Sequence, residues 1–166
     1  AVGQVPEYIQ EVTEWCKLHT DLPVFVKLTP NISDIRRPAR AAFDGGADAV
    51  SLINTINSIV SIDLDVMAPT PTVAGKGVHG GYCGPAVKPI ALSMVSEIAR
   101  DPHTQNLPIS GIGGISDWRD AAEYISLGCG SVQICTAAMR YGFKIIDDLV
   151  TCINFLTIWF CKVIIF

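Results

Sequence analysis

The chain has 166 residues, a formal charge of −4, and 17% charged against 49% hydrophobic residues. That length suits one domain, and the apolar fraction is large enough for a core. The mildly acidic balance, with no basic run, argues against a nucleic-acid partner. The six cysteines lack any paired spacing of a zinc or disulfide framework. Cys16, Cys83, Cys129 and Cys135 are therefore expected as reduced, buried thiols of a cytoplasmic protein.

Gly3-Gln4-Val5 carries no signal-peptide pattern and is expected to be a loop before a helix. Pro6 suits a first helical turn, and Ile9, Val12 and Cys16 recur at helical spacing. Asp21-Leu22-Pro23 stops that helix. Val24-Phe25-Val26-Lys27-Leu28 is β-prone throughout, as in a strand buried on both faces. Thr29-Pro30-Asn31 turns into a second helix carrying Ile35, Ala39, Ala42 and Phe43, closed by Gly45-Gly46. Pro38 is tolerable there if the helix begins near Asp34.

Ala47 to Ile53 is the second strand. A long segment rich in Pro, Gly, Thr and Asp follows, from about Asn54 to Gly84, and is expected to be a functional loop. Pro85 opens a helix with Val87, Ile90, Met94, Val95 and Ile98 on one face. Leu107 to Ile112 is the third strand. Ser116 is the expected N-cap of a helix through Trp118, Ala122 and Ile125. Ser131 to Cys135 is the fourth strand, and a last helix should begin near Phe143. Residues 149–166 are almost wholly apolar but too short and poorly flanked for a membrane span. They also lack the polar face of an outer helix and are set apart here as a tail that is not native to the domain.

Alternating strand–helix units at this pitch imply a parallel sheet with right-handed crossovers. Spacing fits both a doubly wound sheet and a barrel. In either fold ligands bind at the carboxyl ends of the strands. Lys27 places a cation at the end of an apolar strand, where an anionic or electron-rich group would meet it; the alternative is a lysine that snorkels outward. Asn54 and Thr55 follow the second strand directly. An amide offers a donor and an acceptor to the edge of a heterocycle, although both residues are also common loop starters. Gly113-Gly114 follows the third strand and Cys135-Thr136 the fourth. Such small-residue loops admit a phosphate against backbone N–H groups. Gly80-Gly81 and Gly84 add another glycine-rich turn at that end. His79 offers proton transfer, but a lone loop histidine is more often solvated.

Several motifs occur in one order: Lys27-Leu28-Thr29-Pro30-Asn31, Gly45-Gly46-Ala47-Asp48, Asn54-Thr55, Gly80-Gly81 with Gly84, Lys88-Pro89-Ile90-Ala91-Leu92, Gly113-Gly114-Ile115 and Gln133-Ile134-Cys135-Thr136-Ala137. They resemble the FMN-binding barrel domain of the dihydropyrimidine dehydrogenases, a branch of the dihydroorotate dehydrogenase-like superfamily. They look most like the iron–sulfur subunit of the bacterial NAD-dependent type. The resemblance covers roughly residues 1–148. It implies an α/β fold, the C-terminal half (strands five to eight) of a TIM (β/α)8 barrel. It also implies reduction of the 5,6 double bond of uracil or thymine.

By the same resemblance Lys27 would meet the flavin ring, and Asn54 and Thr55 the pyrimidine. Gly84, Gly113, Gly114, Ile115, Cys135 and Thr136 would contact FMN. NADH, 4Fe–4S clusters and a flavin/NAD-binding partner subunit belong to the complete enzyme. A full barrel needs about 250 residues, so this chain resembles a truncated one. The family's catalytic cysteine has no match among its cysteines, so the chain alone is expected to be inactive; no Cys-x-x-Cys run is present, and no metal ligands are assigned. Two alternatives stay open: a dihydroorotate dehydrogenase-type flavoenzyme, and a non-catalytic phosphate-binding half-barrel that pairs as a homo-oligomer.

Overall fold

The structure, a computed structural model, describes residues 2–157. Its centre is a four-stranded sheet in the order β1-β2-β9-β10, formed by Phe25–Lys27, Ala49–Leu52, Ile109–Ile112 and Ser131–Gln133. Every pairing is parallel, with Val26 opposite Val50, Ser51 opposite Ser110 and Val132 opposite Gly111. The strands are shorter than the sequence suggests because their ends bond individually. Leu28 N donates to Ser51 O at 2.8 Å, and Ile53 N to Ile112 O at 2.8 Å.

β2 is buried at all four positions, as a strand with neighbours on both sides and helices over it should be. β1 and β10 are edges and alternate exposed with half-buried residues. The expectation that the first strand is buried on both faces therefore fails. Phe25 is 56% exposed because β1 pairs only with β2.

The helices cover one face. α1 (Pro6–His19) starts on its proline and buries Ile9 and Thr13. α2 (Arg36–Asp44) holds Pro38 in its first turn, where no intrahelical N–H is needed. Asp34 lies just before it and accepts from Arg36 N at 3.1 Å. α3 (Lys88–Ala99) follows a 3-10 turn at Pro85–Val87 and buries Ala91, Val95 and Ile98. Ile90, expected on that stripe, is 42% exposed.

α4 (Trp118–Ser126) is capped by Asp117, not Ser116. Asp117 accepts from Arg119 N and Asp120 N, and Asp120 closes a capping box. It runs through Trp118, Ala122 and Ile125 as expected and buries Asp120, Ala121 and Tyr124, with Trp118 packed partly against the core. A carboxylate in the buried stripe hides that face from an apolar count.

α5 (Thr136–Tyr141) and α6 (Lys144–Thr157) follow. α6 runs through the position where the sequence suggested a boundary, and Ile145 and Leu149 join the core. The remainder of the apolar segment, residues 158–166, lies outside the described residues. Among those described, no helix is long and apolar enough to cross a membrane.

The long segment after β2 is not an irregular loop. It forms three two-stranded antiparallel ribbons, β3 with β8, β4 with β5 and β6 with β7. Their strands are Ile56–Ser58, Ser61–Asp63, Ala68–Thr70, Thr72–Val73, Lys76–Gly77 and Gly80–Tyr82. Strands of two or three residues carry no readable periodicity, which is why composition alone suggested a loop. Of the four cysteines expected to be buried, Cys129 is; Cys16, Cys83 and Cys135 are exposed, and all four are free thiols.

Candidate functional site at the carboxyl ends of the strands

The loops leaving β1, β2, β9 and β10, with the turn before α3, converge on one cleft. It encloses about 840 Å³ of empty space, part of it open to solvent. All nine residues singled out from sequence line it: Lys27, Asn54, Thr55, Gly84, Gly113, Gly114, Ile115, Cys135 and Thr136. His79 is exposed and lies outside the lining.

The turn Gly113-Gly114 forms one wall. Gly113 has φ +139° and Gly114 φ +71°, a backbone that L side chains rarely adopt. Space excludes side chains too. A Cβ on Gly113 would lie 2.8 Å from Ala91 Cβ, and one on Gly114 2.9 Å from Gly84 O. Neither glycine N–H has a partner among the described residues.

Below the turn a carboxylate ties the start of α4. Asp120 Oδ2 accepts from Ser116 N at 2.8 Å, Ser116 Oγ at 2.7 Å and Asp117 N at 3.2 Å. Its Oδ1 accepts from Lys88 Nζ at 2.6 Å, and Lys88 also meets Glu123 at 2.9 Å. Burial opposes the Asp120 charge, yet Lys88 and the Ser116 donors outweigh it and hold its pKa below the ordinary carboxylate value. Lys88 is held above its ordinary value by Asp120 and Glu123.

The Asn54–Thr55 wall is set by Asn31. Its amide Nδ2 donates to Thr29 Oγ1 at 3.0 Å and to Thr55 O at 3.1 Å, while its Oδ1 accepts from Asn57 N at 2.8 Å. Asn54 Oδ1 accepts from Thr55 N at 2.9 Å. In sequence Asn31 is a turn residue that closes the Lys27–Asn31 motif; its use of both donors and an acceptor depends on a loop far along the chain.

Two cations face the cleft. Lys27 ends β1 and is exposed, and Arg140 lies on α5. Among the described residues neither has an ion-pair partner, and the lining contains no carboxylate. The cleft is therefore net positive. Arg140 was missed because α5 was not anticipated; on that helix it falls four residues after Thr136, on the same face. Thr136 Oγ1 donates to Cys83 Sγ at 3.4 Å, joining the last loop to the turn before α3. Among the described residues no group of His, Cys, Asp or Glu could hold a metal ion.

Comparison with known proteins decides the family. Residues 1–156 match the family model described as dihydroorotate dehydrogenase. The chain belongs to the dihydroorotate dehydrogenase family. It is 45% identical over 148 residues to the NAD-dependent dihydropyrimidine dehydrogenase subunit PreA of Escherichia coli (strain K12), covering 89% of this chain and 36% of that protein. It is 42% identical over 152 residues to the chloroplastic dihydropyrimidine dehydrogenase (NADP(+)) of Arabidopsis thaliana, covering 90% of the chain and 36% of the relative. It is 44% identical over 148 residues to the dihydroorotate dehydrogenase B (NAD(+)) catalytic subunit of Pyrococcus abyssi, covering 89% and 47%.

The chain thus spans about a third to a half of the length of these relatives. The crystal structure of DHODH in complex with ferulenol from Eimeria tenella superposes with a TM-score of 0.69 at 20% identity, covering 94% of this chain and 46% of that one. That likeness fixes the fold: the four parallel strands are half of a (β/α)8 barrel. Identities of 45% and 44% do not separate the two activities that the relatives' names carry.

Proposed function

We propose that this chain supplies half of the site of an FMN-dependent oxidoreductase that reduces the 5,6 double bond of uracil or thymine. The observation that carries the reading is the net-positive cleft whose glycine turn leaves two backbone N–H groups without partners. These residues fit a flavin mononucleotide. Its phosphate needs donors and positive potential, and a turn without Cβ atoms lets the anion reach the backbone.

In this reading Gly113, Gly114, Cys135 and Thr136 hold the phosphate, with Gly84 and Ile115 shaping the wall. Arg140 adds charge at the mouth. Lys27 faces the ring system, and Asn54 and Thr55 offer donors and acceptors to the pyrimidine edge. When bound, the flavin supplies hydride transfer to or from the pyrimidine ring. Lys27 stabilises negative charge on the ring electrostatically, and Asn31 keeps the substrate wall in register. The relative named as a subunit suggests a partner chain that feeds electrons, with NADH as donor and 4Fe–4S clusters as carriers.

The second reading, a dihydroorotate dehydrogenase-type flavoenzyme, is favoured by the Pyrococcus abyssi relative at 44% identity. Titrating the full chain with FMN tests the shared part. The expected result is a saturable shift of the visible flavin bands. A spectrum indistinguishable from free FMN at every protein concentration would sink both readings. In the complete enzyme, which also carries the half-site and the cysteine loop that this chain lacks, bleaching of the bound flavin by dihydrouracil, but not by dihydroorotate, selects the first.

A further inference from the structure

Tyr124 is the largest fully buried side chain of the described residues, and its one polar atom is aimed at the cleft wall. The ring lies under β9, where a Cβ on Gly111 would strike ring carbons Cδ1 and Cγ. The hydroxyl then reaches past β9 and donates to Gly113 O at 2.6 Å. Burial pushes the phenol well above its ordinary pKa, so it stays a donor across the working pH range.

A trans peptide holds its carbonyl and the following N–H on opposite sides, and the Gly113–Gly114 bond is not among the cis bonds. Anchoring Gly113 O to a buried phenol therefore aims Gly114 N–H the other way, out of the core. That N–H has no partner among the described residues, and both glycines line the cleft.

The peptide needs an anchor. It is flanked by glycine on both sides, so the rotation that would flip it meets no Cβ barrier. Asp120 ties Ser116 and Asp117 but not this peptide. No other side chain among the described residues bonds it.

We propose that Tyr124 is a positioning residue for anion recognition: its hydroxyl fixes the Gly113–Gly114 peptide so that Gly114 N–H meets the phosphate of the bound ligand. The identity of that ligand as a flavin mononucleotide rests on the function proposed above; the orientation of the peptide does not.

Tyr124→Phe in the full chain keeps the ring under Gly111 and removes only the anchor. Dissociation constants for FMN and for riboflavin, which shares the ring system and lacks the phosphate, are read by flavin fluorescence. FMN binding is expected to weaken about tenfold, one charge-assisted hydrogen bond, with riboflavin binding unchanged. Equal weakening of both flavins would mean a general structural role and overturn the proposal, as would no change in either. If the unaltered chain binds neither flavin, the proposed function fails and the positioning role is read with inorganic phosphate instead. The Gly114 backbone amide resonance should then shift on titration in the parent chain and stay fixed in Tyr124→Phe. The same response in both, or none in the parent, overturns it.

Discussion

Asp120 and Tyr124 show how a single helix face can serve a site it does not touch directly. Asp120 gathers three donors from the turn into α4 while pairing with Lys88. Its folded-state pKa is depressed, so its contribution to stability is complete above the unfolded carboxylate value, about 3.9, and is lost as pH falls below that. Asp120→Asn is expected to destabilise the chain by about 1–3 kcal/mol at pH 7. Urea melts followed by circular dichroism check this. The gap between variant and parent should narrow as pH drops below 4; a gap independent of pH would show that Asp120 acts only through packing. Lys27 is the other residue with a sharp expectation. Lys27→Ala should leave the melting temperature unchanged, because the side chain is exposed and has no ion-pair partner among the described residues, yet slow flavin reduction in the complete FMN-loaded domain. Unaltered reduction kinetics would remove Lys27 from the site.

At the scale of elements, β2 and β9 were legible because buried parallel strands write continuous apolar runs, and β1 and β10 because they carry β-prone runs although they are edges here; the helices after β1, β2 and β9 were legible from their spacing. Less legible was whatever depended on pairing across the chain. The ribbons between β3 and β8 are too short to show a period. α5 is only six residues long, which hid Arg140. The buried face of α4 does not stand out in the sequence because Asp120, a charged residue, occupies it. That the nine residues line one cleft was legible for a different reason: strand ends mark where ligands bind in this class of fold, so reading the residues after each strand leads to the cleft. The order of the motifs supplied their resemblance. Asn31, Tyr124 and the Lys88–Asp120 pair escaped because each acts through a partner distant in sequence. α3 gives the matching test of packing. Ile98 is fully buried, and Ile98→Ala should cost about 2–5 kcal/mol in the urea midpoint; a loss under half of the lower bound would contradict its place in the core.

At the scale of the molecule, the sheet has two edges, β1 and β10, unpaired among the described residues. In a closed barrel every strand has two neighbours, so the face carrying Phe25 and Lys27 is the one a second half-barrel would cover. The glycine turn, the two cations and the Asn54–Thr55 wall nevertheless all lie on these four strands, their loops and α5, so the proposed function assigns phosphate recognition to this half. A crystal structure of the chain with FMN tests that claim most directly. The account predicts the phosphate between Gly113-Gly114 and Cys135-Thr136, within about 3 Å of Gly114 N. A phosphate bound elsewhere on the chain, or a flavin ring occupying the glycine turn, would contradict it.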